Sequence, residues 1–278
     1  MKLVSVFLQI EKEISAGTLS MPALPAIALK VRKAVKEPNM DLIQLAKIVS
    51  LDSAFTAYLI SLANSPIYRG VDKIESVPVA LGRIGMEATK TSSLIFAIRS
   101  LFKTKDRASK LLLNKVWRES CNVSALAFVM AKTLKTVDPE KASIAGLLHN
   151  VGMIPVILKL ASMGETEQDL IKNWQNLFEF SRRIGLRILA SWGMEDEIKQ
   201  VVSRVAEWET SHENSLVDLI NLALWHSYLG TNLFKTLPRL DKLGYFENNP
   251  ILELDKGSLL FVKEAKEEVE LMMQALNS

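Results

Sequence analysis

Apolar residues recur at three- and four-residue spacing along almost the whole chain, and prolines or short polar side chains break that rhythm repeatedly. A stripe of this period faces one side only when the backbone is helical. No stretch shows a sustained two-residue alternation rich in β-branched residues, which a sheet would require. The chain is therefore expected to be all-α, with about a dozen short, closely spaced helices. Val6, Ile10 and Ile14 mark a first helix, and Pro25 opens a second through Ile27, Val31 and Val35, stopped by Pro38. Asp41 is placed to cap Leu42–Val49, Asp52 or Ser53 to cap the helix carrying Phe55, Leu59 and Leu62, and Ser76 the one containing Pro78. Helices follow over 86–102 and 111–134, and Asp138-Pro139 starts another. Residues 165–183, 184–192, 195–208, 212–229 and 258–276 complete the series. The charged stretch Lys103–Lys110 reads as a connection and as the seam between two helical halves; it lacks the Gly, Pro or low-complexity character of a flexible linker.

With 278 residues, 49% of them hydrophobic, the chain can bury a large core, and its formal net charge of +3 is too small to predict nucleic-acid binding from the overall field. A single cysteine, Cys121, excludes an internal disulfide and favours a reducing cytoplasm. The apolar part of the N-terminus is short and runs into Glu11-Lys12-Glu13 without a cleavage site, so it reads as an amphipathic helix. No apolar run is expected to reach the ~20 residues of a membrane span, and the expected location is cytoplasmic.

One stretch needs a chemical explanation. In Ile144–Met153 an apolar run between two glycines carries His149 and Asn150 side by side. Buried polar side chains require partners or cost a few kcal/mol, about 2 or more. A His-Asp pair here could give a divalent metal a nitrogen and an oxygen ligand, and such an ion can activate water for attack on phosphorus. Asn150 is a neutral, poor ligand, and the other two histidines, His212 and His226, lie far downstream. The residues alone favour a pair satisfied by hydrogen bonds within the core.

Other features are less specific. Lys103, Lys105, Arg107 and Lys110 form a basic patch, followed by Lys115 and Trp117, that could meet phosphates; a solvated helix face is the simpler reading. The same holds for Arg182, Arg183 and Arg187. Cys121, with no nearby His, reads as a buried structural thiol, and Met272-Met273 as ordinary packing. There is no phosphate-binding glycine loop.

The order of several motifs resembles the HDOD family, the HD-related output domains of bacterial signalling proteins. The similarity runs through Leu19–Ala28, the segment Leu51-Asp52-Ser53-Ala54-Phe55 to Leu62-Ala63-Asn64-Ser65, Ser76–Gly85, Trp117–Ser120, Ala145–Gly152 and Ser191–Met194. It implies an HD-like orthogonal helical bundle with an N-terminal helical half. On that basis residues 1–18 form a leading helix, 19–233 the HDOD domain with halves meeting near 105, and 234–278 an extension ending in a helix. The related HD phosphohydrolases hold metal with a first His, a His-Asp doublet and a later Asp. This chain has Glu119, His149-Asn150 and the neighbourhood of Asn221–Ala223 at those places, with Asp218 close by. Met153 replaces a usual Lys, and Val205-Ala206 replace a His pair that many family members keep.

The resemblance thus implies a vestigial metal site at Glu119, His149 and Asn150, with no catalytic residues, metal or cofactor. It further implies a signalling module that binds a protein partner or a nucleotide, its input coming from a separate chain or a removed segment. A divergent phosphohydrolase using Glu119, His149 and Asp218 is the alternative reading. Nucleic-acid binding through 103–118 is a third, and neither nucleic acid nor membrane is an expected partner.

Overall fold

A computed structural model describes residues 2–18, 22–68, 70, 72–164, 174–211, 215–248, 254–255 and 258–277. In chain order its helices are α1 (Lys2–Ser15), α2 (Ala26–Val35), α3 (Leu42–Val49), α4 (Ser53–Ala63), α5 (Val77–Ile84), α6 (Met86–Leu101), α7 (Arg107–Leu134), α8 (Pro139–Leu148) and α9 (Met153–Ser162). Then come α10 (Trp174–Ser191), α11 (Asp196–Arg204), α12 (Ser215–Ser227), α13 (Tyr245–Asn248), α14 (Leu260–Glu264) and α15 (Lys266–Asn277). Among the described residues the chain is all-α apart from an antiparallel ribbon with two residues on each side, in which Leu254 pairs with Leu259 and Asp255 with Ser258.

Local chemistry sets many helix starts. Asp41 and Gln44 form a reciprocal capping box on α3. The carboxylates of Asp52 and Asp138 accept the N–H groups of Phe55 and Lys141. At the end of α4, the Asn64 carboxamide donates to the Ile60 and Ile74 carbonyls and accepts the Ile74 N–H, so one side chain shapes the following loop.

A smaller apolar core joins α2–α5, with Val31, Val49, Phe55, Leu59 and Leu81 at its centre. A larger one gathers α6–α12 and takes in Ile10 of α1 and Leu276 of α15. The 28-residue α7 is the axis of the larger core, packing against α8, α9, α12 and α15. Cys121 sits fully buried on it, and burial pushes its thiol up to about 12. Between the halves, the Arg32 guanidinium of α2 donates to the Trp192 and Gly193 carbonyls at 2.8 and 2.9 Å. In return the Trp192 indole donates to the Pro22 carbonyl at 2.9 Å.

Several sequence expectations need correction. The charged stretch 103–110 is only partly a connection: Asp106 accepts the Ser109 N–H and α7 begins at Arg107. The helices expected over 165–183 and 184–192 are, from Trp174 onward, one helix; 165–173 lie outside the described residues. The final helix is split, because Ser258 and Leu259 join the ribbon and a break at Ala265 separates α14 from α15. Pro139–Ser162 is long enough, and its most apolar 18-residue window apolar enough at a mean hydropathy of 1.6, to cross a membrane by length and composition alone. The expectation of no such run is thereby corrected for composition; in the fold the stretch is divided into α8 and α9 by the turn at 149–152, and 78% of its most apolar window is buried in the core.

Candidate functional site

Two close backbone contacts fix the turn that carries His149 and Asn150. A Cβ on Gly146 would lie 2.8 Å from the Ser124 Cα, so α8 rests on the α7 backbone there. A Cβ on Gly152 would lie 1.9 Å from the Ser181 carbonyl oxygen of α10. The turn is held between α7 and α10, and the glycines bracketing the pair are required by that fit. His149 and Asn150 thus follow the last turn of α8 instead of lying within a continuous helix, and both are buried.

The His149 Nδ1–H donates to the Gly146 carbonyl at 2.6 Å, which leaves Nε2 as the nitrogen without a proton. That Nε2 has no hydrogen-bond partner and stands 3.7 Å from Glu119 Oε1. The Phe178 ring of α10 lies 6.4 Å from the imidazole, centroid to centroid. Asn150 is used differently. Its Oδ1 accepts the Ser120 hydroxyl at 2.7 Å, and its Nδ2 points at Glu119 Oε1, 3.5 Å away. The carboxylate decides the amide orientation, since the opposite one would set two oxygens face to face. Ser120 also lies 2.9 Å from the Val116 carbonyl and shares its proton between the two acceptors. Ser120 belongs to the Trp117–Ser120 motif, where sequence alone assigns it no role; its position beside Glu119 is the available signal.

A metal in the manner of the HD enzymes would have His149 Nε2 and Glu119 available. The Asn150 oxygen is turned inward to Ser120, and among the described residues no three His, Cys, Asp or Glu side chains group so as to hold an ion. The residues present do not fit such a site. Asp218 is buried on α12, where its charge helps raise the Tyr245 phenol after the larger effect of burial. Val205 is buried, and the Ala206 N–H donates to Asn221 Oδ1 at 2.9 Å, so these positions hold a backbone turn. His226 bonds the Leu222 carbonyl through Nδ1, and His212 lies outside the described residues.

The basic patch is elsewhere. Lys103, Lys105, Arg107 and Lys110 are exposed around the start of α7. Arg107 lies twelve residues before Glu119 on one helix, or about 18 Å along its axis. Trp117 is buried against Phe102, with ring centroids 5.2 Å apart, so it offers no exposed stacking face beside the patch.

The family model of the HDOD domain matches residues 21–207. The chain belongs to the HDOD domain family. Among solved structures, a Shewanella amazonensis protein provisionally named a metal-dependent phosphohydrolase is 22% identical, with 98% of each chain covered and a TM-score of 0.77. An HDOD domain protein of unknown function from Geobacter sulfurreducens is 20% identical, covering 99% of this chain and 98% of its own, at a TM-score of 0.69. These likenesses establish the HD-like helical fold. An uncharacterized Treponema pallidum protein is 24% identical over 134 residues, 48% of this chain. That match spans only 26% of the relative's length.

Proposed function

We propose that the chain is a non-catalytic signalling module that works by binding a partner protein or a small nucleotide, with its HD centre converted into a hydrogen-bonded junction. One observation carries this: the Asn150 carboxamide, where the related enzymes have a ligating carboxylate, is spent on Ser120 and Glu119. A buried amide tied on both sides fixes the turn and supplies no charge to a cation. Family membership supports a place in signal transduction, as does the provisional description of a Marinobacter aquaeolei neighbour as a signal transduction protein. A cytoplasmic location belongs to the same proposal.

The orphaned His149 Nε2 beside Glu119 favours a second reading, a divergent metal-dependent phosphohydrolase. Elemental analysis for Fe, Mn, Zn and Ni, with hydrolysis of bis(4-nitrophenyl) phosphate assayed in Mn²⁺, separates the two. The expected result is substoichiometric metal and no turnover. Stoichiometric metal that disappears in His149→Ala, with turnover lost alongside it, sinks the non-catalytic proposal.

A further inference from the structure

A cleft of about 630 Å³ opens on the solvent side of Glu119, within the size range of small-molecule sites. One wall is the polar face of α7. Asn114, Arg118 and Asn122 follow one another at four-residue spacing, and Lys115 stands one turn from Arg118. The opposite wall comes from the end of α12 and the segment after it, with Tyr228 and Asn232, and Met273 of α15 adds an apolar surface. Glu119 reaches both the cleft and the buried His149, so the cleft ends against the vestigial centre.

Its charges are arranged with a direction. Lys115 and Arg118 are exposed cations close enough together to share one phosphate, and a guanidinium can grip two of its oxygens. Glu119, one residue beyond Arg118 and half-buried, repels an anion and accepts N–H donors. The Tyr228 phenol is kept protonated, mainly by burial and further by the nearby Glu119 charge, and so remains a neutral donor. A bare inorganic anion would leave the apolar surface and the carboxamides unused. A purely apolar ligand would make no use of the cations.

We propose that this cleft binds a nucleoside phosphate, with the phosphate on Lys115 and Arg118 and the N–H-bearing edge of the base toward Glu119. This deepens the proposed function by naming a site and a ligand class, and it rests on that reading only in that the nucleotide is retained without being consumed.

The test is isothermal titration of the full chain with AMP, GMP, CMP and UMP, with inorganic phosphate and the parent nucleosides alongside. Chromatography of each nucleotide after incubation with protein and Mn²⁺ completes it. At least one nucleotide is expected to bind about tenfold tighter than both phosphate and its nucleoside, and Arg118→Gln to weaken it about tenfold. Arg118 is exposed, so the variant should keep the wild-type circular dichroism and melting temperature, and Lys115→Gln provides a second variant of the same kind. No nucleotide preferred over phosphate, or affinity unchanged in both variants, overturns the proposal. Binding followed by hydrolysis upholds the cleft and overturns the non-catalytic reading. Absence of binding removes the cleft alone, because the metal and turnover assay decides the other question independently.

Discussion

Lowering the pH from 7.5 to 5 should weaken the fold through His226. This imidazole is buried at the end of α12, its Nδ1–H held by the Leu222 carbonyl at 2.8 Å and its Nε2 accepting the Leu259 N–H at 3.4 Å. Burial lowers its pKa from 6.5 to about 4, against a smaller upward pull from the Leu222 carbonyl. The unfolded chain therefore takes up this proton at higher pH than the folded one, so stability is full above 6.5 and declines as pH falls toward 4. The shift corresponds to about 2 kcal/mol lost by pH 5 and about 3 kcal/mol once both states are protonated. Protonation also removes the acceptor for Leu259, so the ribbon should loosen from α12 first. Carboxylates titrate over the same range, and His226→Gln separates them out: a neutral amide can take both hydrogen bonds without gaining a proton. Urea denaturation at pH 7.5, 6.5, 5.5 and 5 would give both slopes. Wild type should lose about 2 kcal/mol more than the variant across that range. Equal slopes would refute the reasoning.

Two further changes probe the His149 turn. Gly152→Ala forces a methyl into the Ser181 carbonyl and should cost about 3 kcal/mol or more in urea denaturation, whereas exposed Gly82→Ala within α5, with open space around it, should stabilise by roughly 0.5–1 kcal/mol. A destabilised Gly82→Ala paired with a neutral Gly152→Ala would contradict the packing described. Asn150→Asp places a buried carboxylate beside that of half-buried Glu119, which should raise the new group's pKa and cost about 2 kcal/mol at pH 8, a penalty that shrinks at pH 5 as it protonates. A cost independent of pH would count against the like-charge explanation.

What the sequence revealed divides by distance along the chain. Asp41, Asp52 and Asp138 act on backbone three residues away, so their capping roles are visible in a short window. The motifs around Asn64 and Gly146–Gly152 supplied the architecture through resemblance, and the structure supplies their physics: a loop-shaping carboxamide and two backbone approaches that exclude a side chain. Residues 107–110 carry two cations and read as a connection in sequence because propensity is weak where only one side of a helix is buried; the Asp106 cap on Ser109 starts α7 there. The partners of Asn150 lie 30 and 31 residues away, and the cleft draws on α7, the segment after α12 and α15, which no local pattern joins.

The bonds between α2 and the end of α10 have a mechanical consequence. Arg32 and Pro22 grip the Trp192–Gly193 end of a continuous helix whose middle, at Ser181 and Gly185, presses on the Gly152 turn. A tilt of the N-terminal half must either release the Arg32 grip or drag α10 with it. With no room at Gly152 to absorb movement, such a tilt would be passed along α10 to the turn that carries His149. A shift of α2 would then reach the base of the cleft through one helix, without any side chain having to span the distance.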